Sequence, residues 1–114
     1  MNENGHTNVN QNYQAYAIAD ESIVKRFMIV MRNGQTISLS YSLLPALILN
    51  DNSELIIKTH EFEIVITGRN LMPLLESFSE ESLLYIRESP SGTDDGHSSV
   101  FISNIEIAGE LLGT

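Results

Sequence analysis

ELIIKTHEFEIVIT, residues 54–67, decides the fold. Apolar side chains recur at every second position, at Leu55 and Ile57 and then at Phe62, Ile64 and Ile66. A period of two is that of half-buried β-strands, whose successive side chains point to opposite faces. A turn at His60-Glu61 sets Thr59 opposite Phe62, Ile57 opposite Ile64 and Leu55 opposite Ile66. On the other face the same register pairs Lys58 with Glu63 and Ile56 with Val65. Apolar meets apolar and cation meets anion, and such pairs fix a hairpin register.

Beyond this hairpin, Gly68 leads into Asn70-Leu71-Met72-Pro73. Asn70 suits an N-cap and Pro73 suits a first helical turn. Leu71, Leu74, Leu75 and Phe78 then fall at i, i+3, i+4 and i+7, one apolar stripe. The spacing predicts a helix over about 71–80. So short a helix does not hold in water alone, so its stripe must pack on the sheet.

Upstream, IVKRFMIVM at 23–31 and TISLSY at 36–41 flank Asn33-Gly34, the strongest short hairpin signal in the chain. A two-residue turn sets Val30 against Ile37, Met28 against Leu39 and Ile29 against Ser38. A three-residue loop with a bulge at Gly34 shifts the pairing by one, and the sequence leaves both registers open. In the first register Phe27, Ile29 and Met31 lie on a second apolar face. With Ile56 and Val65 they form a candidate interaction face.

Elsewhere Pro45 breaks SLLPALIL into a helical turn at 42–45 and a strand at 46–49. LLYIRE at 83–88 reads as a strand, and SPSGTDDGHSS at 89–99 as a polar loop. VFISNIEIA at 100–108 alternates with a phase break at Ser103-Asn104, as a β-bulge produces. Residues 1–21 are polar and Asn-rich, a tail expected to stay disordered. Within it Tyr13, Tyr16 and Ile18 are able to add a short strand or dock. The globular domain is expected over 22–108, with a frayed end at 109–114. The expected fold is α+β, with six to seven mostly antiparallel strands forming a bent sheet, a small barrel or a sandwich, and one helix.

Fifteen Asp and Glu against six Lys and Arg give a formal charge of −9, which argues against nucleic acid and against an anionic membrane surface. There are no cysteines, so disulfides and thiolate chemistry are excluded. The N-terminal MNENGHTNVNQ has neither the basic region nor the apolar core of a secretory signal, so cytoplasmic residence is expected. His6, His60 and His97 show no metal-ligand spacing, and no nucleophile elbow or phosphate loop is present. No cofactor, metal or catalytic residue is expected.

Y-x-x-L at Tyr41–Leu44, I-x-G-R-N-L at Ile66–Leu71 and I-R-E at Ile86–Glu88 resemble a pattern of small uncharacterised bacterial proteins, over about residues 26–107. The resemblance implies no activity and carries over no functional residue. Two function classes follow from the residues. The first is a non-enzymatic interaction module that binds a protein partner or a second copy of itself through a sheet edge or the acidic surface. The second is a domain for a small ligand or anion, with a pocket at the helix start near His60, Arg69 and Asn70, where a helix N-terminus favours negative charge.

Overall fold

The structure is a computed structural model that describes residues 13–20, 23–43 and 46–109. In chain order the elements are β1 (Tyr16–Ile18), β2 (Arg26–Val30), β3 (Thr36–Ser40), a 3₁₀ turn (Tyr41–Leu43), β4 (Ala46–Asn50), β5 (Glu54–Lys58), β6 (Phe62–Arg69), α1 (Met72–Ser79), β7 (Leu83–Arg87) and β8 (Phe101–Gly109). The fold is α+β, as expected. Among the described residues it has eight strands rather than six or seven, because Tyr16–Ile18 adds one. They form two sheets of four strands, ordered β1-β7-β2-β3 and β4-β5-β6-β8, and neither closes into a barrel. Every neighbouring pair is antiparallel except β2 with β7.

The central hairpin has the register that its side-chain pattern requires. Leu55, Ile57, Ile64 and Ile66 are fully buried, and Lys58 Nζ lies 3.1 Å from Glu63 Oε1 on the outer face. The first hairpin takes the shifted register, with Ile29 opposite Ile37 and Phe27 opposite Leu39. Arg32, Asn33 and Gly34 form a three-residue loop, closed by Met31 N–H on Gln35 C=O at 2.8 Å, and Gly34 takes φ +96°. The shift corrects the two-residue reading. It turns Phe27 and Ile29 inward, both at zero exposure, and leaves Met28 on the surface.

The inner faces of both sheets and the apolar stripe of α1 share one core. Leu71, Leu74 and Phe78 of the stripe are buried, and Phe78 packs edge-on against Phe27 at 5.0 Å between centroids. Tyr41 completes this aromatic cluster and donates its hydroxyl proton to the Leu83 carbonyl at 2.7 Å. The helix start differs from expectation. Asn70 takes φ +57°, and Leu71 stands at the N-cap position. Asn52, in the turn between β4 and β5, caps the helix instead: its Oδ1 accepts from Met72 N–H at 2.6 Å and its carbonyl from Leu71 N–H at 3.1 Å. The capping oxygen therefore comes from a separate hairpin.

The bulge expected near Ser103-Asn104 is present. Thr67 pairs with Asn104 and Gly68 with Ile102, so Ser103 is the extra residue. Gly68 must be glycine there, because a Cβ would run into the Phe101 carbonyl oxygen. At the same corner the two sheets are joined by Glu88, only 6% exposed. Its Oε1 accepts from Arg32 N–H at 2.7 Å, at the end of β2, and its Oε2 from Ile105 N–H at 2.9 Å, in β8. Its own N–H bonds Val30 C=O, and the next residue, Ser89, bonds Ile102 C=O through its N–H. One carboxylate thus satisfies an amide in the loop that follows β2 and an amide of β8.

Glu88→Ala removes the acceptor from both amides. Each buried donor left unpaired costs about 1–3 kcal/mol, so the expected loss is about 2–6 kcal/mol of unfolding free energy. Urea denaturation measures it, and Glu88→Gln, which keeps one acceptor oxygen, is expected to lose less.

Candidate binding groove beside the first strand

The five residues proposed as one interaction face do not share a face. Phe27 and Ile29 are core, and Met31 packs against the core where β2 ends. Ile56 and Val65 alone stand on an outer face, half-buried and paired with each other across β5 and β6. The cause is the one-residue shift at Gly34, since such a slip exchanges every side chain between faces.

The three residues proposed as an anion site are also separated. His60 sits in the β5–β6 turn, whereas Arg69 ends β6, and at about 3.3 Å per residue the strand from Phe62 to Arg69 spans roughly 23 Å. Arg69 and Asn70 remain neighbours, and both grip the 94–99 loop. The Arg69 guanidinium takes both carboxylate oxygens of Asp94 in a fork and donates to the Ser98 carbonyl at 2.7 Å. Asn70 Nδ2 donates to the Ser99 carbonyl at 2.8 Å. The Asp94 carboxylate raises the pKa of Arg69 above its ordinary value, and the Arg69 hydrogen bond holds Asp94 below the usual carboxylate range.

What these two residues hold in place is one wall of a groove. Ser98, Ser99 and Val100 face residues 13–18 across an open groove of about 530 Å³. That is within the roughly 300–1,000 Å³ typical of ligand sites. The other wall is β1. Arg87 N–H bonds Ala15 C=O and Ala19 N–H bonds Ser82 C=O, so alternate residues 15, 17 and 19 face β7. The main-chain groups of Tyr16 and Ile18 therefore point away from β7, and among the described residues no hydrogen bond meets them. Ser98 Oγ is buried without a hydrogen-bond partner, the one such side-chain atom among the described residues.

Tyr13 anchors the near end of the groove. Its hydroxyl donates to Arg87 C=O at 2.7 Å and accepts from Ile102 N–H at 3.3 Å, and its ring packs edge-on against Phe101. Burial pushes its pKa up to about 12, and it does the same for Tyr41. Among the described residues the groove walls carry no His, Asp, Glu, Lys or Arg, and what they offer is hydrogen bonds and apolar contact. Among the described residues no three His, Asp or Glu side chains are placed to hold a metal, and no helix is long and apolar enough to cross a membrane.

The chain matches no protein-family model, no curated protein and no solved structure.

The groove escaped the sequence reading because each wall depends on distant contacts. The orphan Ser98 hydroxyl has no sequence signature. The only signal for the β1 wall was the set of aromatic and apolar residues at Tyr13, Tyr16 and Ile18 within a polar segment.

Asp94→Asn removes the charged half of the clamp. Hydrogen exchange at residues 96–99 is expected to quicken while exchange in β5 and β6 does not change. Because Asp94 is held low, wild type is expected to keep the slow loop exchange down through the ordinary carboxylate range near pH 4 and to lose it only below that. At the other extreme, Tyr13 and Tyr41 ionise at about 12 when folded and near 10 when unfolded. Their contribution to stability is complete below pH 10 and is lost as pH rises from 10 to 12. A far-ultraviolet circular dichroism titration is expected to show unfolding in that window, and Tyr41→Phe is expected to move it upward.

Proposed function

We propose that this chain is a non-enzymatic protein-interaction module, with its two sheets packed as an open sandwich, that takes an extended segment of a protein partner alongside β1. The carrying observation is the groove itself. It places an unsatisfied strand edge, at Tyr16 and Ile18, across from a buried hydroxyl without a partner, at Ser98. A strand edge recognises an extended chain through main-chain hydrogen bonds, and side pockets add specificity. The formal charge of −9 favours a partner segment flanked by basic residues and disfavours nucleic acid. The resemblance to small bacterial proteins supports a bacterial, cytoplasmic setting for the module.

The small-anion reading has less support. Asp94 and Ser98 already occupy the Arg69 fork, and an anion at Asn70 would have to displace its bond to the Ser99 carbonyl.

Peptides selected from a random display library on the immobilised protein test the proposal. Selected sequences are expected to be extended, uncharged at the centre and basic at the flanks. Ile18→Pro removes the outward N–H without touching the bonds to β7, and Ser98→Phe fills the groove. Each is expected to weaken a selected peptide at least tenfold in fluorescence anisotropy while the melting temperature stays within a few degrees. Equal affinity for both folded variants would place binding elsewhere, and failure to select any peptide would count against strand addition.

A further inference from the structure

A second strand edge, distant in sequence from the groove, carries an independent inference. The bond from Thr59 N–H to Phe62 C=O and that from Gly68 N–H to Ser53 C=O show that the odd-numbered residues of β5 bond to β6. The even-numbered residues Glu54, Ile56 and Lys58 therefore bond to β4, at Asn50, Ile48 and Ala46. That leaves the N–H and C=O groups of Leu47 and Leu49 on the free edge, where among the described residues no hydrogen bond meets them.

Folded proteins blunt such an edge with charge, proline, a bulge or a covering side chain. Two other edges here, those of β3 and β8, are treated in that way. On β3, Arg26 covers the Ser38 carbonyl at 3.1 Å and the Ser38 hydroxyl at 3.0 Å. On β8, Tyr13, Glu88 and Ser89 take the main-chain groups of Ile102 and Ile105. The strand Ala46–Asn50 contains no charge, no proline and no bulge, and Ile48 is 39% exposed on its outer face.

We propose that a second copy of this chain covers β4, pairing antiparallel across a two-fold axis at Ile48 and joining two sheets into one. The strand is its own complement. Leu47 and Leu49 are related by the axis, so each meets the other's counterpart in the hydrogen-bonded phase and the seam gains about four main-chain bonds. Ile48 meets its own image in the close, non-bonded pair. Ile48, Ile56 and Val65 lie in one row across the outer face, and that row runs off the edge at Ile48. Pairing continues it into an unbroken apolar stripe. Charge agrees as well. The axis brings the row of Ala46 and Lys58 into line with the second copy's row of Asn50 and Glu54, so the nearest charges on that face across the seam have opposite sign.

This is a closed, isologous contact, and it does not depend on the groove reading. Sedimentation equilibrium of the full chain tests it. Wild type is expected at twice the 12.7 kDa chain mass. Ile48→Lys and Ile48→Glu each set like charges face to face in the seam, and each is expected to raise the dimer dissociation constant at least tenfold with circular dichroism unchanged. An equimolar mixture of the two is expected to recover the dimer mass, a result that misfolding of either variant would not give. A wild type that stays monomeric, or a dimer that survives Ile48→Lys, overturns the proposal. Ile18→Pro is expected to leave the mass unchanged, which separates this contact from peptide binding at β1.

Discussion

The buried carboxylate of Glu88 is the constraint on which the rest of the structure depends. A charge removed from water is tolerated only where hydrogen bonds replace its hydration. Here two main-chain N–H groups do so, one from the end of β2 and one from β8. The Arg32 guanidinium stands 3.9 Å from the same carboxylate and donates to the carbonyls of Ser89 and Ser103. The bulge leaves Ser103 out of the ladder, with its carbonyl on the Arg32 guanidinium, so bulge, carboxylate and guanidinium form one unit. Each part would be costly without the others.

The open side of the fold follows from that corner. Glu88 and Ser89 carry the chain from β7 past the edge of β8, and Tyr13 seals the next step. Beyond Tyr13 the walls diverge, with β1 on one side and 98–100 on the other, and the groove lies between them. Arg69 and Asn70 matter to it from behind, by holding the carbonyls of Ser98 and Ser99. They position the wall and do not touch what the groove would hold. The sequence proposed this pair, with His60, for an anion; in the structure both side chains engage the 94–99 loop, and an arginine at a helix start looks the same whether it is free or already paired.

Local patterning made much of the fold legible. The 54–67 hairpin could be read to the residue, since its pairs test one another on both faces. The apolar stripe of α1 and the phase break at Ser103 were equally plain. Three features were not. The register of the first hairpin turned on whether Gly34 closes a two-residue or a three-residue loop, and Asn-Gly serves both. The helix cap came from Asn52, eighteen residues before Asn70, and no local window contains it. Glu88 looked like the charged end of a strand, because its burial arises only when both sheets are assembled. The expected tail at 1–21 was too long, since Tyr13–Ile18 docks on the domain. Residues 1–12 lie outside the described residues.

The central claim is that Glu88 makes the two sheets one cooperative unit. Native-state hydrogen exchange at the amides of Arg32 and Ile105 addresses it most directly, because neither bonds within its own ladder. Both are expected to exchange only through global unfolding, with the same free energy as Ile64 in the middle of β6. Exchange at Arg32 and Ile105 as fast as in the 89–99 loop, with Ile64 still protected, would show that the corner opens by itself and that the sheets do not depend on it.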